Sequence, residues 1–83
     1  SRPHEVSTLS TDEGLVVRLT KGADGAIYAM VIGRPSTAKI TIDGLPKGDV
    51  KLLGHNAPLK REGHSVTLPN RPDDTPVYTL RIQ

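Results

Sequence analysis

The 83-residue chain has no cysteine, no tryptophan and no phenylalanine, and its only tyrosines are Tyr28 and Tyr78. Without cysteine, neither a disulfide staple nor a thiolate metal site is available. With two tyrosines, the aromatic platforms on which sugars and bases stack are scarce. Charge of one sign is scarce too. Eleven Lys and Arg against nine Asp and Glu leave a surplus of +2, a weak field for a phosphate backbone. The densest basic group, Lys47, Lys51, Lys60 and Arg61, is interrupted by Asp49 and Glu62, so nucleic acid is not an expected partner. No apolar run approaches the roughly 20 residues of a membrane span, and no leader-like segment is present. A membrane is not expected as a partner either. The chain starts at Ser1 and not Met, as expected of a processed piece or a domain cut from a longer polypeptide.

What is present is turn chemistry and short alternating runs. Eight glycines and seven prolines suit many turns between short strands. The longest apolar run is Ala26–Pro35, AIYAMVIGRP. Its β-branched and aromatic content and its Gly33/Pro35 stop favour a strand over a buried helix. Ile27, Ala29 and Val31 fall on one side, and Tyr28, Met30 and Ile32 on the other. Apolar residues on both sides predict a central strand with both faces covered. Upstream, Leu15, Val17 and Leu19 alternate with Val16, Arg18 and Thr20, and Gly22-Ala23-Asp24-Gly25 reads as a hairpin loop joining the two strands antiparallel.

Further on, Ala38, Ile40 and Ile42 point inward, Leu45 tucks under a loop, and Val50 and Leu52 share a face while Leu53 turns away. Leu59 anchors a short strand over Pro58–Arg61, Glu62-Gly63 turns, and His64, Val66 and Leu68 share a face. The run Val77–Ile82 closes the chain with Tyr78, Leu80 and Ile82 against Val77, Thr79 and Arg81. The Pro-rich stretch Pro69–Pro76 cannot pair as a central strand. Ser1–Thr11 reads as a loosely held lead-in with a short edge strand at Glu5–Leu9. About seven short strands with turn signals every eight to twelve residues describe an antiparallel sandwich or barrel.

Candidate chemistry is thin. Glycosidases need two carboxyl groups facing across a cleft, but Asp73 and Asp74 are loop neighbours that diverge, and Asp12-Glu13 is likewise a turn. His4, His55 and His64 lack metal-ligand spacing; His55, His64 and Glu62 form the one three-ligand arrangement that a hairpin brings together. Ser1, Ser7, Ser10, Ser36 and Ser65 sit in no nucleophile elbow. Gly22–Gly25 leads into a strand and not a helix, so it is not a phosphate cradle. Tyr28 and Tyr78 occupy positions expected to be packed, which argues against a sugar-stacking surface. No catalytic, cofactor-binding or metal-binding residue is therefore assigned, and no cofactor is expected.

The segment Ile27–Leu45, IYAMVIGRPSTAKITIDGL, resembles the C-terminal domain of glycoside hydrolase family 29, the α-L-fucosidases, whose members carry a pattern like LYAIVLGWP, a short turn, then KVTIKSL. The likeness continues through Asp49–Leu59, DVKLLGHNAPL, then Ser65–Leu68, the acidic-proline loop and the closing VYTLRI. Arg34 stands where the family often has Trp. The resemblance implies a Greek-key β-sandwich over residues 15–83 preceded by a linker or lead-in over 1–14. It also implies a parent enzyme, periplasmic or secreted, whose nucleophile and acid/base lie in an N-terminal barrel that 83 residues cannot contain. The chain itself is then a non-catalytic support, with that catalytic domain as its partner and fucosylated glycan met only through the parent. The alternatives are an autonomous carbohydrate-binding module and a generic β-sandwich that mediates protein contacts. A domain built to lean on a neighbour exposes apolar surface when cut free, so one contiguous patch, or a dimer through it, is a further expectation.

Overall fold

The computed structural model describes residues 6–69 and 77–83. Among these residues there are eight strands: β1 Val6–Ser10, β2 Val16–Lys21, β3 Ile27–Ile32, β4 Lys39–Thr41, β5 Val50–Leu52, β6 Lys60–Glu62, β7 Ser65–Thr67 and β8 Val77–Ile82. They form a five-stranded sheet in the order β1-β2-β3-β8-β5 and a three-stranded sheet in the order β4-β7-β6. Every pairing is antiparallel. The chain is thus a small all-β sandwich, with one strand more than expected because Val6–Ser10 of the lead-in forms a paired strand. Val6 to Ser10 lie opposite Thr20 to Val16.

The period of two decides which side chains meet. On the inner face of the large sheet the register sets Leu9, Val17, Val31 and Tyr78 abreast, and Leu19, Ala29, Leu80 and Leu52 in the next row. These rows pack against Ile40, Ile42, Leu45, Leu59, Val66 and Leu68 from the other side. The core is aliphatic apart from Tyr78. Leu45 is buried under its loop, and Val50 and Leu52 are buried while Leu53 is exposed, as the alternation predicts.

The edge strands of the two sheets are stitched together at single points. At one seam Thr11 bridges Ile42 and the Asp12 N–H donates to the Thr41 carbonyl at 2.8 Å. At the other, Pro58 bridges Lys51 and the Leu59 N–H donates to the Val50 carbonyl at 2.7 Å. These contacts link the end of β1 to the end of β4 and β5 to the start of β6, which shortens the unpaired edges that invite aggregation. Gly48 lies beside the second seam at φ +126°, where a Cβ would come within 2.8 Å of the Gln83 carbonyl oxygen. Only glycine lets that loop pass so close to the last residue of β8's extension.

Four expectations are corrected. Strand β3 is central, but only one of its faces is covered: Ala29 and Val31 are fully buried, whereas Ile32 is 42% exposed and Tyr28 and Met30 are half-buried. The second sheet covers a single side, so a strand apolar on both sides leaves one side outward. The short strand anchored by Leu59 begins later, at Lys60, because Pro58 and Leu59 pair across the seam with β5. The turn after it is Gly63-His64 and not Glu62-Gly63, since Glu62 pairs with Ser65. This slip lifts His64 off the Val66 face into an exposed turn. Ala38 is exposed, because β4 begins only at Lys39.

The two faces of β3 and β8 differ in what a truncation removes. Leu80→Ala opens a cavity in a side chain with no exposure and should cost about 2–5 kcal/mol, a large share of the roughly 5–15 kcal/mol that holds a domain folded. Ile32→Ala on the outer face should cost under about 1 kcal/mol. Urea denaturation of the two variants checks the difference; equal losses would contradict the one-sided burial of β3.

Candidate functional site

Several polar side chains that sequence reasoning weighed for chemistry hold turns and strands together. The Glu13 carboxylate accepts from the Ser36 N–H at 2.9 Å and from the Ser36 hydroxyl at 2.6 Å, so it clasps the β3–β4 turn to the β1–β2 turn. Asp12 Oδ1 lies 3.5 Å from the Thr41 N–H, at the first seam. The Ser65 and Thr41 hydroxyls share a hydrogen bond of 2.8 Å. Ser7 and Ser10 are exposed strand positions on β1. His55 is exposed in the turn after β5, where its N–H donates to the Leu52 carbonyl. The arrangement of His55, His64 and Glu62 does not form: among the described residues no three His, Cys, Asp or Glu side chains gather as metal ligands. Asp73, Asp74, His4 and Ser1 lie outside the described residues, as does most of the Pro-rich loop.

The basic group separates. Lys47, Lys51 and Lys60 are exposed, while Arg61 turns its guanidinium onto backbone, donating to the carbonyls of Gly63 and Gly48 at 2.7 Å each and of Leu45 at 3.3 Å. One side chain thus ties the Leu45–Gly48 loop to the β6–β7 turn. An open depression of about 390 Å³ lies over this clamp, lined by Lys47, Gly48, Asp49, Arg61, Gly63 and His64. A smaller one of about 220 Å³ is lined by Asp49, Lys51, Arg81 and Gln83. Each has one carboxylate, Asp49, where acid/base cleavage of a glycosidic bond needs two. A third, of about 200 Å³, is lined by Arg34, Pro35, Ser36, Thr37, Ala38, Leu68, Pro69 and Tyr78 and has no carboxylate.

The most connected polar cluster was not anticipated. The hairpin Gly22–Gly25 is closed by Gly22 N–H to the Ala26 carbonyl and Gly25 N–H to the Gly22 carbonyl. It aims Asp24 at the outer face of the large sheet. Asp24 Oδ1 accepts the Ala26 N–H at 3.0 Å, the local bond that aspartate makes two residues ahead in turns. Its Oδ2 accepts the Tyr28 hydroxyl at 3.0 Å and the Arg81 Nη2 at 3.0 Å. Arg81 Nε also donates to the Tyr28 oxygen at 3.2 Å. The register places Tyr28 opposite Arg81, which brings Asp24 and Arg81, 57 residues apart in sequence, into one ion pair. Gly22 makes room for the ring, since a Cβ there would sit 2.5 Å from Tyr28 Cε1. Tyr28, expected to be packed, is therefore a half-buried outer residue held by its hydroxyl. Tyr78 is buried at 8% exposure, as expected.

The Ala26 N–H foremost, then Arg81 and Tyr28, hold the Asp24 carboxyl below the usual carboxylate range. Asp24, then Tyr28, push Arg81 up. A folded-state value below the unfolded one stabilises the protein above the unfolded pKa of about 3.9, and that contribution is lost as pH falls through the folded value. Asp24→Asn keeps the acceptor for Ala26 and removes the charge. Its urea midpoint should be lower than that of the parent near neutrality, with the gap closing as pH drops below about 4. The effect is small because the pair is solvent-screened. Urea titrations across this range check it, and parallel pH profiles for the two proteins would contradict it.

No family model matches this sequence, and none of the curated proteins does. Among solved structures, the α-fucosidase of Thermotoga maritima superposes with a TM-score of 0.72 at 25% sequence identity. The match covers 92% of this chain and 20% of that one, so the chain spans about a fifth of the enzyme's length. The likeness read from Ile27–Leu45 and its neighbours therefore holds in three dimensions: this chain resembles a part of a family 29 α-L-fucosidase, consistent with its C-terminal domain.

Proposed function

We propose that the chain is the non-catalytic C-terminal β-sandwich of an α-L-fucosidase-like glycoside hydrolase, a structural support for an N-terminal barrel that hydrolyses α-linked L-fucose. The observation that carries this reading is the match that takes in 92% of this chain and only 20% of the α-fucosidase. The commitment of Glu13, Asp24 and Arg61 to holding loops agrees with it. On this reading residues 15–83 form the domain proper and 1–14 arrive from the preceding domain, with β1 as the segment that docks on the sheet edge. The placement of β8 between β3 and β5 fits a Greek-key return. The parent is periplasmic or secreted, and fucosylated glycan is met only through its catalytic domain.

The gene sequence upstream of Ser1 should encode a fucosidase barrel, and the isolated chain should leave an aryl α-L-fucoside unhydrolysed. An upstream region of another class would contradict the family reading. Turnover by the chain alone would contradict the non-catalytic role. Saturable binding of fucosylated glycans in calorimetry would favour a carbohydrate-binding module instead.

A further inference from the structure

The two outer faces of the sandwich differ in kind. On the three-stranded sheet the outward positions are Lys39 and Thr41, Ser65 and Thr67, and Lys60 and Glu62, in register with one another. All six are polar; Lys39 pairs with Glu62 at 3.3 Å and both are well exposed. This face is chemically complete in water. On the five-stranded sheet the register sets Val16 opposite Ile32 and Ile32 opposite Val77. Met30 is two residues back on β3, and Leu53, just past β5, donates its N–H to Thr79. Val16 is 45%, Ile32 42% and Leu53 49% exposed. A single exposed aliphatic side chain is ordinary, but an exposed cross-strand pair, Val16 and Ile32, flanked by the half-buried Val77 and Met30, marks a contact surface.

We propose that this row, Val16–Ile32–Val77 with Met30 and Leu53, is the seat of an adjoining domain of the same polypeptide, and that the three-stranded sheet faces solvent. The inference rests on the fucosidase-like reading above for its occupant. Three observations select that occupant. The matched enzyme is about five times as long as the stretch this chain covers, so a body large enough to cover the face accompanies the fold. The first strand, β1, is an edge of this sheet and not of the other. The size also fits. The four longer strands, at about 3.3 Å per residue and about 4.8 Å apart, present on the order of 400 Å² as a whole face, with the row as its apolar part, and an interdomain contact buries about 600–1,500 Å² shared between two surfaces. Arg18 lies opposite Met30 and is exposed, so the partner surface is apolar with a carboxylate at its rim.

The absence of cysteine makes thiol labelling a clean test. Ile32→Cys and Lys60→Cys report the two outer faces, and Val16→Cys is a second probe of the row should Ile32→Cys disturb folding. Each is placed in the 83-residue chain, at a concentration where it sediments as a monomer, and in the full-length polypeptide that contains it. In the short chain the introduced thiols should react with a maleimide at similar rates. In the full-length polypeptide the Ile32→Cys thiol should slow by at least about tenfold, as expected of a site that reacts only on local opening, while the Lys60→Cys thiol keeps its rate. Equal reactivity of Ile32→Cys in both settings would overturn the proposal, as would protection of Lys60→Cys with Ile32→Cys left open. The two readings fail separately. A fucosidase barrel beside an unprotected Ile32→Cys thiol sinks the surface assignment alone, and protection by some other kind of domain sinks the enzyme reading alone.

Discussion

Backbone hydrogen bonds from Asp12 to Thr41 and from Leu59 to Val50 stitch the edges of the two sheets to each other, and the rest of the domain depends on these seams. A chain of 83 residues with no Phe or Trp has only aliphatic side chains and Tyr78 to bury. Such a core gives little margin in a small domain. Two layers held only by that core would splay at their edges and admit water between Val50 and Leu59 or beside Ile42. The seams prevent this, and the polar side chains reinforce them: Glu13 grips Ser36 near the first, and Arg61 grips Gly48 and Leu45 near the second. Of the carboxylates that sequence reasoning weighed for catalysis, Glu13 and Asp12 are thus engaged by the fold.

The inequality of the sheets, five strands against three, has a functional consequence. The small sheet covers part of the inner face of the large one and presents a wholly polar exterior. The large sheet keeps Val16, Ile32 and Leu53 exposed on its outside. A domain shaped for solitary life in water would polarise that face as well. One that sits against a neighbour need not, which agrees with the match to a fraction of a much longer α-fucosidase.

Much of this was legible in the residues. Alternation in Leu15–Thr20, Val50–Leu53 and Val77–Ile82 correctly separated the two faces of each strand because one face of each is buried. The hairpin at Gly22–Gly25 followed from turn chemistry. What failed depended on pairing between distant segments. Val16, Ile32 and Val77 form a row only through the β2–β3 and β3–β8 registers, and Asp24 meets Arg81 only because β8 returns beside β3. The two-sided apolar pattern of Ala26–Pro35 was read as double burial, although burial against a missing neighbour leaves the same pattern. The Gly63-His64 turn slipped by one residue because Pro58 and Leu59 were claimed by the seam. For Asp24 the local signal was present, in an aspartate two residues before a strand; its partner was not.

The most direct test of the whole account is a crystal structure of the full-length polypeptide. A catalytic barrel seated on the five-stranded sheet, burying Val16, Ile32 and Leu53 and leaving Lys39, Lys60 and Glu62 in water, is the predicted result. A sandwich hanging free on a linker, or held through its three-stranded sheet, would contradict it.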